Sequence, residues 1–150
     1  MARLFTIGYE QARSDAVIGE LMQAGVGLVV DTRAVAASRR PGFSKRQLAA
    51  DLDEASMGYL HLQKLGTPKE GRDAARSGNL TKLFDIYERH LATPDACEQL
   101  DELTRIVKSG RPVCLLCYER DVAHCHRRRI AELICGRTGV AVEHLVAPLF

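Results

Sequence analysis

Two short aliphatic runs constrain this chain most: residues 26–30, VGLVV, stopping at Asp31, and residues 113–117, VCLLC, running out at Glu119. A continuous apolar run that ends abruptly in charge reads as a strand buried on both faces of a parallel sheet. Residues 3–8 form a third such run, ending at Gly8, and residues 140–145 a last one. Between the runs lie helical patterns. Ser14 stands as the cap of a stripe formed by Val17, Ile18, Leu21 and Met22, which Gly25 ends. Ser44 and Gln47 have capping-box spacing ahead of Leu48, Leu52 and Ala55. Leu80, Leu83, Tyr87 and Leu91 make a third stripe. Thr93 and Pro94 open a fourth, carrying Leu100, Leu103 and Val107. Residues 124–137 read as the final helix and residues 59–62 as a brief strand. Residues 31–45 and 65–78, broken by glycine and proline, read as loop and irregular chain. Strands alternating with helices predict right-handed βαβ units. The expectation is an α/β fold: a single three-layer Rossmann-like domain over residues 1–150, with a mostly parallel sheet of about five strands.

The 150-residue length suits one domain, and the absence of tryptophan calls for an aliphatic core. A net charge of +2 makes no global case for nucleic acid, although Arg39, Arg40, Lys45 and Arg46 cluster, as do Arg127, Arg128 and Arg129. The three consecutive arginines cannot share a helix face, because successive residues stand about 100° apart. The cysteine count is odd, at five, and MARLFTIGYE is too polar for a signal sequence. No apolar run approaches the ~20 residues of a membrane span. A reducing cytoplasm, free thiols and no membrane partner are expected.

Ligands of open α/β sheets bind outside the carboxyl ends of the strands. That rule selects Tyr9 after the first strand, Asp31 and Arg33 after the second, and the segment from Cys117 to Arg127. Arg33, Ser38, Arg39 and Arg127 suit an anion, since a guanidinium presents a planar fork to phosphate or carboxylate. Glu119 or Asp31 could serve as acid or base, and His126 lies beside them in the pattern. Cys117 and Cys125 are the candidate nucleophiles. Cys125 sits at a helix start among His124, His126 and Arg127, an environment that favours thiolate. The bland alternatives are an Asp31–Arg33 pair that ties down a loop and cysteines that merely pack. Cys97 and Cys135 fall on helical stripes and read as core; His61, His90 and His144 read as structural.

Cys114, Cys117, Cys125 and His126 invite a zinc reading. Cys114 and Cys117 lie three apart on a strand, so they face opposite ways, and VCLLCY contains no knuckle turn. No metal site and no cofactor are therefore expected. Cysteine phosphatases need arginine six residues after the nucleophile, where this chain has Ala123 and Ala131. Rhodanese-type sulfurtransferases share the strand-end cysteine and an Asp-x-Arg strand end, but the YERDVA loop lacks their small residues.

TIGY, DTR, SR-x-PGF, GY-x-H-L, LG-x-P, LLCYE and CHR occur in that order along the chain. This ordered set resembles the bacterial family called domain of unknown function 488. The resemblance implies a shared site at Tyr9, Asp31, Arg33, Ser38, Cys117, Glu119, Cys125, His126 and Arg127, and it implies no particular reaction. The function expected is an enzyme acting on a phosphate-bearing substrate such as a nucleotide or nucleic acid. The alternatives are a non-catalytic anion- or nucleic-acid-binding module and a thiol sulfurtransferase or redox protein.

Overall fold

A computed structural model describes residues 3–149. The strands are β1 (Arg3–Gly8), β2 (Leu28–Asp31), β3 (Gly58–His61), β4 (Val113–Cys117) and β5 (Ala141–Val146). The helices are α1 (Ser14–Ala24), α2 (Lys45–Glu54), α3 (Lys69–Arg76), α4 (Leu80–Leu91), α5 (Pro94–Lys108) and α6 (His126–Thr138). The strands form one sheet in the order β3-β2-β4-β1-β5, every neighbouring pair parallel. The expected three-layer α/β architecture is what forms.

Right-handed crossovers decide which face each helix covers. The chain moves one way from β1 through β2 to β3, which puts α1 and α2 on the first face. There Val17, Leu21, Leu48 and Leu52 pack on Phe5, Ile7, Val29 and Leu116. It moves back from β3 to β4 and β5, which puts α4, α5 and α6 on the second face. There Tyr87, Leu100, Leu103 and Ile130 pack on Leu4, Val30, Val113 and Leu115. Each strand divides its side chains between the two cores by simple alternation. The outgoing connections of β1 and β4 run in opposite directions, so these adjacent strands form a topological switch point, where such sheets open a crevice.

Gly25 ends α1 at φ 80°, the left-handed position that glycine fills without strain, as the sequence predicts. Thr93 caps α5 with Pro94 in its first turn. Four expectations need correction. Arg13, and not Ser14, is the cap of α1. The Ser44 side chain joins Ser38 instead of closing a capping box, because the loop folds back so that Ser44 Oγ donates to the Ser38 carbonyl and accepts from its N–H. Residues 69–76 are helical, although only Gly71 and Ala74 are buried; such a small contact leaves no apolar stripe to read. Cys97 and Cys135 are exposed on their helices.

Tyr87 is fully buried, and its hydroxyl donates to the Leu65 carbonyl at 2.6 Å. That bond fastens the 3-10 turn Gln63–Leu65 to α4. Tyr87→Phe strands the carbonyl, so urea denaturation should register a loss of about 1–3 kcal/mol. Among the described residues, no helix is long and apolar enough to cross a membrane.

Candidate functional site

The strand ends stand level. Gly8 pairs with Cys117, and Asp31 pairs with Leu116 and His61. The loops beyond them are knitted together: Tyr9 N–H donates to Cys117 O at 3.2 Å, and Glu10 N–H to Tyr118 O at 2.7 Å. Arg120 N–H donates to Glu10 Oε1 at 3.1 Å. Gly8 makes the close approach possible, because a Cβ there would run into the carbonyl of Glu119.

The residues expected to share one crevice divide between the two faces of the sheet. Asp31 shares the first face with Val29. It is fully buried and holds Arg33 through two charge-assisted bonds, Nε–Oδ1 at 2.9 Å and Nη2–Oδ2 at 2.7 Å. Tyr59 donates its hydroxyl to Asp31 Oδ2 at 2.5 Å. The remaining Arg33 nitrogen donates to the Phe43 carbonyl and the Tyr9 hydroxyl. Tyr9 in turn stacks on Phe43 with ring centroids 4.2 Å apart. Burial works against the Arg33 charge, but the hydrogen bond and charge of Asp31 outweigh it and raise its pKa. Burial and then Asp31 push the Tyr59 phenol up as well. Every polar group in this cluster has a partner. It is a buried clamp that ties the loop after β2 to β1 and β3. Ser38 stays in that loop with Ser44, whereas Arg39 is exposed at the mouth of a cleft.

Cys117 belongs to the second face, one residue beyond Leu116. Cys125 is the N-cap of α6, its sulfur accepting from Arg127 N–H at 3.4 Å. The helix start thus drops His126 and Arg127 onto the end of β4. Five free thiols were expected, but the structure pairs the sulfurs of Cys117 and Cys125, leaving Cys97, Cys114 and Cys135 free. The paired Cα atoms are 7.6 Å apart. Glu119 Oε2 lies 3.5 Å from the Cys117 sulfur, and His126 Nδ1 lies 3.8 Å from the Cys125 sulfur. One ligand atom from each of Cys117, Glu119, Cys125 and His126 falls within 4.8 Å of the others, a grouping that could hold a metal. Cys114, fully buried on the first face, takes no part, as strand alternation predicts.

His126 Nε2 lies 2.9 Å from the Thr32 carbonyl. A carbonyl only accepts, so Nε2 carries the proton and Nδ1 keeps its lone pair towards the Cys125 sulfur. Burial pushes the His126 pKa down to about 4, which leaves the ring neutral at pH 7. Burial raises the Glu119 carboxyl above its usual range, against the opposing pull of its own backbone and of Arg127. Arg127 is nearly fully buried, and burial lowers its pKa to about 10. It donates to the carbonyls of Glu119 and Arg120 and reaches the Cys117 sulfur at 3.0 Å. Arg128 is exposed and Arg129 pairs with Glu88, so the arginine run splits as helix geometry requires.

Above Glu119 and His126 opens a cleft of about 1080 Å³. Arg39 lines it from the loop after β2, Glu10 from the loop after β1, and Arg72 and Arg76 from α3. The α3 wall went unread in the sequence, because the helix itself was unread; three basic residues in LGTPKEGRDAAR were the available signal.

The chain matches the model of the family described as domain of unknown function DUF488 over residues 13–134. No curated protein and no solved structure matches it.

Proposed function

Because the chain belongs to the DUF488 family, described by its domain and not by an activity, we propose its function from the cleft: an enzyme acting on a phosphate-bearing substrate, a nucleotide or nucleic acid. The observation that carries this reading is the composition of that cleft. Its mouth and one wall present Arg39, Arg72 and Arg76, while its floor presents a partly buried carboxyl, Glu119, and a neutral imidazole, His126. The guanidinium groups suit a phosphate, and the Glu119 carboxyl suits proton transfer beside it, while both His126 nitrogens are already engaged. A volume of about 1080 Å³ accommodates a nucleotide. Arg33 and Asp31 hold the loop that carries Arg39 and stay out of contact with substrate. Arg127 acts from beneath the floor, on Cys117 and the Glu119 carbonyl. The setting proposed is the reducing cytoplasm, where unpaired exposed thiols such as Cys97 and Cys135 persist.

Calorimetric titration with ADP and with inorganic phosphate tests this reading. Binding should weaken about tenfold or more in Arg39→Ala and in Arg72→Ala, and should fall with added salt. Binding that ignores both substitutions, or no binding at millimolar ligand, would refute it. A second reading has its own observation, the Cys117–Cys125 sulfur contact at the start of α6. A thiol-transfer role would make these two cysteines, once reduced, the first to react with iodoacetamide near pH 6.

A further inference from the structure

We propose that Cys117, Cys125 and His126, with Glu119 as fourth donor, bind a divalent transition ion of the zinc type on the floor of the cleft. The proposal deepens the phosphate reading at the same site, but its test does not depend on that reading. Three independent features meet here. The first is the donor set: two sulfurs, an imidazole nitrogen and a carboxylate oxygen within 4.8 Å of one another. Sulfur and nitrogen donors with one carboxylate suit zinc, whose tetrahedral shell places neighbouring donors roughly 3–4 Å apart.

The second feature is the orientation of His126. Its Nε2–H is tied to the Thr32 carbonyl at 2.9 Å, which turns the Nδ1 lone pair towards the Cys125 sulfur. A ligating histidine is held in this way, by a backbone acceptor on its other nitrogen. The third feature is charge. Arg127 is a buried guanidinium whose partners are the carbonyls of Glu119 and Arg120 and the Cys117 sulfur, and its Nε has no partner. A buried cation of this kind requires negative charge beside it. Two thiolates and the Glu119 carboxylate supply three negative charges; a divalent ion neutralises two, and Arg127 the third. The backbone N–H of Arg127 also points at the Cys125 sulfur, at 3.4 Å, as it would at a thiolate.

The Cα separation of 7.6 Å for Cys117 and Cys125 fits the same reading. It exceeds the ~4.4–6.8 Å that disulfides span; the sulfurs touch as they stand, and in the reduced protein they would part to admit an ion. Binding releases the two thiol protons to solvent, and no electron is transferred. Glu119 is the most accessible of the four donors and faces the cleft, so it occupies the position where a water or a substrate oxygen could replace it. With Glu119 displaced, the site has three protein ligands and an open position, the arrangement of catalytic zinc centres.

Elemental analysis of the full chain, purified under reducing conditions, is the test. About one zinc per chain is expected to survive gel filtration. Cys117→Ser and Cys125→Ser should lose it, and Cys97→Ser with Cys135→Ser, on exposed helix positions, should keep it. Should the site variants fail to fold, cobalt(II) added to the reduced wild-type protein should still give a thiolate charge-transfer band. A thiol count on protein purified without reductant and denatured with chelator separates the alternatives: five thiols support the ion, and three indicate a Cys117–Cys125 disulfide. A reduced protein that takes up neither zinc nor cobalt overturns the proposal. Phosphate binding through Arg39 and Arg72 would then stand or fall by its own titration.

Discussion

Asp31→Ala is expected to destabilise the protein by about 3–5 kcal/mol, because it leaves a buried guanidinium without its counter-charge. Arg33 is only 6 % exposed, and Asp31 is fully buried. The substitution removes two charge-assisted bonds to Arg33 and the acceptor of the Tyr59 hydroxyl in one step. Arg33 cannot turn outward to water without releasing the Phe43 carbonyl and the Tyr9 hydroxyl as well. The midpoint of urea unfolding should therefore fall sharply. Replacing both partners with apolar residues, as Asp31→Leu with Arg33→Met, should recover much of the loss, since no unpaired charge remains. A loss below about 1 kcal/mol for Asp31→Ala would mean that the pair is solvated in solution and does not act as a buried clamp.

Gly8→Ala should be nearly as damaging, and for a different reason. The added methyl would run into the Glu119 carbonyl, and the atoms it meets are backbone, which cannot swing aside. Relief requires β1 and β4 to part at their last register pair, Gly8 and Cys117. Overpacking of this kind costs about 1–3 kcal/mol, and a rigid backbone obstacle places it at the upper end. At roughly 2–4 °C per kcal/mol for a chain of this size, the melting temperature should drop by about 4–12 °C. The Glu119 carbonyl is also held by Arg127, so the same change should disturb the cleft floor and weaken anion binding. A variant that melts with the wild type would show that the two loops do not approach so closely.

Most of the fold is legible in the sequence. Continuous aliphatic runs such as residues 113–116 announce strands covered on both faces, and amphipathic stripes announce α1, α2, α4 and α5. α3 escapes because its buried contact is made by Gly71 and Ala74, which carry no apolar periodicity. The candidate site is half legible. Strand-end logic selects segments that the structure does place at the carboxyl end of the sheet, yet it treats their side chains as facing one crevice. Strand alternation shows otherwise once register is known: Asp31 pairs with Leu116, so it shares a face with Leu116, and Cys117 points to the other side. The same alternation correctly removes Cys114 from the thiol cluster. It does not remove Cys125, His126 and Glu119, whose convergence depends on how the loop after β4 returns to the start of α6. That return is set by Arg127 bridging two loop carbonyls, a contact that no spacing rule contains.

The central claim is that ligand binds in the cleft over Glu119 and His126, on the face covered by α4, α5 and α6. Titrating isotope-labelled protein with ADP, and separately with inorganic phosphate, while following backbone amide shifts locates binding most directly. The account predicts progressive, saturable shifts at Arg39, Arg72, Glu119 and His126, with Asp31 and Arg33 little changed. Shifts confined to the opposite end of the sheet, around Arg111, or shifts centred on Asp31 and Arg33, would contradict it.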